Sequence, residues 1–494
     1  MAKSIMIQGT MSNVGKSLLT TALCRIFVQD GYRVAPFKSQ NMALNSYITK
    51  DNLEMGRAQV VQAEACKIEP DVLMNPILLK PTTDSGSQVI INGEVYGNMR
   101  AFDYFRNKKK FMPYVADAYA KLEKQYDLIV IEGAGSPVEM NLKQEDIVNM
   151  GIAEMTNSPV LLVGDIDRGG VFAQLLGTLS LFEPDELDKV KGLIVNKFRG
   201  DRKLFEDGVK ILEERGKKPV LGVVPYIECD IEGEDSLCQP RNRTPDFLID
   251  IAVIQLPKIA NFTDFDVFRQ YKDVGVRYVD NARQLGNPDM IILPGTKSTI
   301  ADRKWLQTSG METEIKRCHD KNIPIFGICG GYQLLGKTVS DPLHTENGGS
   351  ISALGLLNCH TVFEQQKTRT RTSGKIICDS GFFRILNNSD FYGYEIHMGK
   401  TVVHENSFAL KENDISDGAC QGNVAGTYIH GIFDSQDVAE KLLRKLFQQK
   451  GLVFQGKSVD RKAYKETQYN LLADKVRQSM DMNRIYQIVG KGIG

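Results

Sequence analysis

A short run near the start constrains this chain most: Ile5-Met6-Ile7-Gln8-Gly9-Thr10-Met11-Ser12-Asn13-Val14-Gly15-Lys16-Ser17. An apolar strand runs into a glycine-punctuated turn, and an amphipathic stretch, Lys16–Gln29, follows. A turn of this kind aims several backbone N–H groups at one point, which suits phosphate oxygens. Lys16 adds a charge for the outer phosphates and Ser17 a hydroxyl for Mg²⁺, so Gly9, Thr10, Asn13, Val14, Gly15, Lys16 and Ser17 form a candidate nucleotide-binding loop. Its spacing is extended: five residues separate Gly9 from Gly15, and Thr10 stands where the first glycine usually lies. A strand feeding such a loop belongs to a parallel sheet covered by helices.

Residues 1 to about 226 keep that alternation, with strands predicted at Ser4–Gln8, Arg33–Phe37, Asp127–Ile131, Val160–Gly164, Gly192–Asn196 and Pro219–Val224. Helices are expected at Lys16–Gln29, Glu54–Cys66 and Tyr114–Gln125. Ligands in open α/β sheets sit at the carboxyl ends of the strands. Glu132, at one such tip, is a candidate Mg²⁺ ligand beside Ser17. Lys38, at another, is a candidate clamp on a transferred phosphoryl group. Asn196, with Lys197, is a candidate nucleotide contact, and Asp146, Asp165 and Asp167 are candidates to orient a substrate or bind metal.

A second kind of chemistry lies downstream. Ile325-Phe326-Gly327-Ile328-Cys329-Gly330-Gly331-Tyr332-Gln333 reads as a strand, a sharp turn presenting a thiol, and a helix. Amides at such a turn favour a thiolate and can bind an oxyanion. Cys329 is the candidate nucleophile, His430 its general base, and the backbones at Gly330 and Gly295 are candidate oxyanion donors. His397 is a further residue of interest, expected to line the domain interface or the substrate site. Phosphate and thiol chemistry on one chain imply activation of one substrate by ATP and removal of a group from another.

The 61 basic and 61 acidic residues cancel, so no global field recruits nucleic acid or an anionic membrane. Nine scattered cysteines without a CxxC pair predict reduced thiols in a cytoplasmic protein. Neither a signal-type segment nor a membrane span is legible. The expected organisation is a P-loop ATP-dependent synthetase domain over 1–228 and a charged, proline-broken linker over 229–246. A thiol domain over 247–440 and a helical extension over 441–494 complete it.

These stretches resemble the class I, triad-type glutamine amidotransferases and, more narrowly, the cobyric acid synthase family. The phosphate loop is similar to that of dethiobiotin synthetase and its relatives. The narrower resemblance rests on Lys38-Ser39-Gln40-Asn41-Met42-Ala43-Leu44-Asn45-Ser46, Met74-Asn75-Pro76, Asp165-Ile166-Asp167-Arg168-Gly169-Gly170, Asn261-Phe262-Thr263-Asp264-Phe265-Asp266 and Leu293-Pro294-Gly295-Thr296-Lys297. It implies a P-loop parallel-sheet domain followed by a flavodoxin-like amidotransferase domain. The implied activity is ATP-dependent amidation of the b, d, e and g carboxylates of (adenosyl)cobyrinic acid a,c-diamide. ATP, Mg²⁺ and glutamine as ammonia donor are the implied cofactors, and the partner is a corrinoid small molecule. Alternatives are cobyrinic acid a,c-diamide synthase, another polycarboxylate amidotransferase, and a P-loop switch ATPase with an inactive amidase-like domain. The usual triad carries a glutamate two residues after the histidine; here that place is Ile432, so another acid serves or a Cys–His pair suffices.

Overall fold

The computed structural model describes residues 2–82, 86–231, 247–346, 348–456 and 460–491. Most of the expected linker, residues 232–246, and the glycine-rich end, 492–494, lie outside the described residues. Two compact units emerge, one of Met1–Ala43, Glu54–Glu232 and Tyr464–Gly494, the other of Leu44–Leu53 and Gly233–Ala463.

In the first unit six parallel strands lie in the order Val220–Pro225, Val190–Phe198, Val160–Asp165, Lys3–Gly9, Leu128–Glu132, Val34–Phe37. Their apolar runs are nearly continuous because both faces are covered; every residue of Leu128–Glu132 is buried. The strand order reverses beside Lys3–Gly9, so the carboxyl edge opens a crevice at the phosphate loop. All six expected strands are present, and the Lys16–Gln29 helix has the expected bounds. The expected 54–66 helix begins only at Arg57, because Glu54–Gly56 is extended.

A mixed four-stranded sheet of Gln40–Met42, Ile77–Pro81, Gly86–Ile91 and Glu94–Arg100 was not anticipated from sequence. Nor was the division of the expected C-terminal extension. The Gln436–Gln449 helix packs in the second unit, whereas Leu472, Val476 and Ile485, on the helices Arg461–Ser479 and Met482–Lys491, join Phe27 in the core of the first. The buried Arg25 guanidinium donates to Glu466 at 2.7 Å and lies over the Tyr469 ring. The expected helix over 460–484 breaks near Met480, which bridges Gly222 at the sheet edge.

The second unit holds the parallel strands Val274–Val279, Ile249–Ile254, Met290–Leu293, Ile325–Ile328 and Val424–Thr427, with Ala419–Gln421 antiparallel at the edge. Beside it stands the long antiparallel hairpin Cys359–Ile376 and Asp390–Val403, in keeping with the mixed or antiparallel strands expected around Gly393–Met398. No helix among the described residues is long and apolar enough to cross a membrane.

Candidate active sites

In the first unit the phosphate loop closes over its own lysine. Asn13 and Gly15 take positive φ, 62° and 99°, and a Cβ on Gly15 would come within 2.2 Å of the Asn196 amide. Glycine is therefore required there by both backbone and space. Gly9 is equally confined, since a Cβ would meet Val14 at 2.4 Å. Lys16 Nζ donates to the carbonyls of Met11 and Gly135 at 3.0 and 3.1 Å, which holds its charge against the loop. Thr10 donates to Gln174 Oε1 at 3.3 Å, and the same oxygen accepts from the Asp165 amide.

The Glu132 carboxylate is the hub of the crevice. Its Oε1 accepts from Ser17 Oγ and Lys38 Nζ, each at 2.8 Å, and its Oε2 from Gln62 Nε2 at 2.5 Å. Glu132 and Lys38 are both buried, and a charge pair taken from water persists only where further hydrogen bonds support it, as Gln62 and Ser17 do here. The expected grouping of Ser17, Lys38 and Glu132 is thus a contact cluster.

The other acids have different partners. Buried Asp165 binds Lys197 Nζ at 2.7 Å, and that ammonium also reaches the Asn13 carbonyl. Asn196 Nδ2 donates to the Val14 carbonyl at 2.7 Å. Asn196 and Lys197 therefore grip the phosphate loop itself. Asp167 forms an exposed pair with Arg199 at 2.6 Å. Asp146 accepts from the amides of Val148, Asn149 and Gly151, so both its oxygens hold the turn that starts the Met150–Met155 helix.

In the second unit Cys329 sits at φ 51°, ψ −109°, a conformation β-substituted residues rarely adopt, between the Ile325–Ile328 strand and the Gly330–Leu335 helix. Such strain persists because neighbours over-determine the turn. A Cβ on Gly331 would come within 1.9 Å of the Leu293 carbonyl, and one on Gly330 within 2.6 Å of Thr296. Gly295 closes the same space, for its Cβ would touch the His430 ring at 3.1 Å. The structure thus brings Cys329, Gly330, Gly295 and His430 together. Thr296 is itself tethered, donating to the buried Asp302 carboxylate at 2.5 Å.

His430 is fully enclosed. Its Nδ1 lies 2.7 Å from Asp264 Oδ2, while Asp264 Oδ1 accepts from the Gly431 amide at 3.0 Å. The Cys329 thiol points at the Ile396 carbonyl, 3.7 Å away, and lies near enough to the same ring to act on its charge. Burial opposes a charged imidazole, yet the Asp264 carboxylate and the thiol outweigh it and push the ring up to about 10. An acid, a base and a thiol are therefore aligned, the order that nucleophilic acyl transfer requires. His397 stands apart from this line: it stacks on Tyr428 with centroids 3.8 Å apart, and its Nδ1 meets the Gly399 carbonyl.

Residues 5–236 match the family described as the CobQ/CobB/MinD/ParA nucleotide binding domain, and residues 250–438 match the CobB/CobQ-like glutamine amidotransferase domain. A cobyric acid synthase of Ruminiclostridium cellulolyticum is 53% identical over 100% of this chain and 98% of its own length. That of Lachnoclostridium phytofermentans is 54% identical over 100% of both, and that of Clostridium acetobutylicum 50% identical over 98% of each. The chain belongs to the cobyric acid synthase family.

Within this member of the family, three neighbours of the sites had carried no sequence signal of their own. Gln62 and Gln174 are helix glutamines whose role lies in what they reach. Asp264 sits in the Asn261–Asp266 stretch that helped carry the resemblance, but it precedes His430 by 166 residues, so triad spacing could not reveal it. The expected glutamate place, Ile432, is buried and apolar.

Proposed function

We propose that this chain makes cobyric acid by amidating the b, d, e and g carboxylates of (adenosyl)cobyrinic acid a,c-diamide, with ATP as activator and glutamine as nitrogen source. The observation that carries the reading is one chain uniting a Lys16–Ser17 phosphate loop, supported by the Glu132 hub, with a Cys329–His430–Asp264 line. Full-length identity to cobyric acid synthases supports the substrate.

In the first unit, a corrinoid carboxylate oxygen attacks the γ-phosphorus of ATP, ADP leaves, and an acyl phosphate forms. Lys16 neutralises the β and γ oxygens, and Lys38 steadies the transferred group. Ser17 and Glu132, hard oxygen donors 2.8 Å apart, fit the shell of a Mg²⁺ ion, which when bound supplies charge neutralisation to the phosphates. Asn196, Lys197 and Asp165 keep the loop in its binding shape. Asp146 and Asp167 act on the substrate indirectly, by shaping the loops that face it.

In the second unit, the Cys329 thiolate attacks the glutamine side-chain carbonyl, with amides at Gly295 and Gly330 receiving the oxyanion. His430 gives its proton to the departing ammonia, and water then hydrolyses the glutamyl thioester to glutamate. Ammonia attacks the acyl phosphate carbonyl, phosphate leaves, and an amide remains. The division has a chemical reason: carboxylate oxygen is a poor leaving group, and ammonia in bulk water is mostly protonated at neutral pH. The intact thiol line weighs against a switch ATPase with a dead amidase-like domain.

Purified enzyme given ATP, glutamine and cobyrinic acid a,c-diamide should yield a product lighter by four exchanges of OH for NH2, read by high-resolution mass spectrometry; an unmodified corrinoid would overturn the assignment. A second expectation concerns Asp264. Its carboxylate raises the His430 pKa, so Asp264→Asn should move it down towards the ordinary imidazole range. If the working form is thiolate with imidazolium, glutaminase activity falls as pH rises through about 10 in the wild type. That alkaline limb should shift to lower pH in the variant, with kcat reduced by roughly 10³-fold. A limb that stays in place would remove Asp264 from the line.

A further inference from the structure

Of the four cations in the run Arg106-Asn107-Lys108-Lys109-Lys110, three face solvent and one does not. Arg106 lies over the Phe102 ring, Lys110 lies over Phe111, and Lys109 is exposed, whereas Lys108 is only 4% exposed. Its ammonium makes no hydrogen bond or ion pair among the described residues, and the centroid of the Phe105 ring is 5.1 Å away. A buried cation without a partner is costly, and a ring face offsets only part of that cost. Burial pushes the ammonium below the ordinary lysine range, although the charges of Asp146 and Glu145 act in the opposite direction. Neither acid is its partner. Asp146 commits both oxygens to the amides of Val148, Asn149 and Gly151, and Glu145 forms no ion pair with it. The segment that carries Lys108 is fastened to the carboxyl edge of the six-stranded sheet. Tyr104, on the Ala101–Asn107 helix, donates to Gln40 Oε1 at 2.6 Å, two residues past Lys38. Phe111 stacks on Tyr104 with centroids 5.7 Å apart and so holds the far side of Lys108. Ser39 Oγ donates to the Ile147 carbonyl at 2.7 Å, which draws the Lys38 tip to the turn that Asp146 holds. Lys108 therefore lies at the edge-strand end of the crevice, beside the turn that adjoins Lys38.

We propose that Lys108 is a binding residue for the acceptor, its ammonium taking one carboxylate of the corrinoid while another is held at Lys38 for phosphorylation. The inference rests on the reading above that the acceptor is a corrinoid with several free carboxylates. Such a ring needs more than one cationic anchor if a chosen arm is to meet the γ-phosphate, because a single contact leaves the ring free to turn about it. A carboxylate brought by the ligand supplies the partner that Lys108 lacks within the protein. The exposed Arg106, Lys109 and Lys110 give the same rim a local positive field, although the chain as a whole is neutral, and that field draws a polyanion towards it. Field and receptor are thus divided within one run: three solvated charges attract, and the buried one binds, where a charge-assisted hydrogen bond is strong.

The test is equilibrium binding of cobyrinic acid a,c-diamide to the full chain, followed by corrin absorbance, with steady-state amidation in parallel. Lys108→Met keeps a long flexible side chain and removes the charge. It should raise Kd and KM for the corrinoid by roughly 10- to 100-fold, as loss of a hydrogen bond to a charged group does. Affinity for ATP, and kcat at saturating corrinoid, should be retained. Lys108→Arg should keep most of the corrinoid affinity. Lys108→Gln, neutral but polar, carries the same expectation as the methionine variant, so misfolding of one leaves the other to decide. Corrinoid affinity at the wild-type level in both neutral variants overturns the proposal. A rise confined to KM for ATP also overturns it, by giving the ammonium to a nucleotide phosphate. Joint loss of ATP and corrinoid binding does so too, because that marks a merely structural lysine. A wild-type enzyme that neither binds nor amidates this corrinoid removes the functional reading beneath the proposal, whereas wild-type amidation with indifferent variants removes Lys108 alone.

Discussion

Cys329→Ala should abolish glutamine-supported amidation, by roughly 10⁴-fold or more, while ammonium at raised pH still yields product. Only the nitrogen source is lost. The thiol lies in the second unit, on a turn fixed by Gly330, Gly331 and Thr296, and the proposed acyl phosphate is assigned to residues of the first. Alanine keeps the Cβ and removes the sulfur, so the strained φ of 51° remains tolerable to the same degree. Product formation from ammonium and from glutamine, measured side by side on one preparation, checks the prediction. Equal loss from both sources would mean that the two chemistries are not divided as proposed.

Lys16→Ala should have the reverse signature, eliminating product from either nitrogen source. The ammonium is held against the loop by the carbonyls of Met11 and Gly135 and is not replaced by a neighbour, since Lys38 is engaged by Glu132 and Lys197 by Asp165. Removing a preorganised charge from the γ-phosphate should cost about 3–4 kcal/mol of transition-state stabilisation, roughly 10²- to 10³-fold in rate. Glutamine hydrolysis at Cys329 should survive. Phosphate release and glutamate release, followed separately, distinguish the cases. Ammonium-driven synthesis at the wild-type rate would remove Lys16 from the phosphate site.

What was legible in the sequence was local. The phosphate loop, the strand tips at Lys38 and Glu132, and the Cys329 turn each announce themselves within about ten residues, because strand, turn and helix impose residue types at fixed offsets. Relations between distant segments were not legible. Asp264 reaches His430 across 166 residues, and no fixed offset along the chain links the two. The mixed sheet escaped because Gln40–Met42 is a three-residue polar strand whose pairing with Ile77–Pro81 is set by tertiary contact. Asp146 was sound as a loop acid, yet its backbone partners appear only in three dimensions. The destination of the last helices was equally hidden, for an apolar stripe on a helix shows that a face is covered and not by what.

Those last helices carry a consequence for how the protein comes into being. On the ribosome, the sheet strands and phosphate loop of the first unit emerge early, but Leu472, Val476 and Ile485 of its core, and the carboxylate that meets Arg25, emerge only after the whole amidotransferase unit. Until then the guanidinium, buried in the finished molecule, has no Glu466, and the apolar face around Phe27 has no cover. Vectorial synthesis usually lets an N-terminal domain fold first. Here that order is inverted: the second unit can complete itself while the first waits, and a truncation that removes residues beyond 463 strikes the nucleotide site's scaffold, at the far end of the chain from the loop it supports.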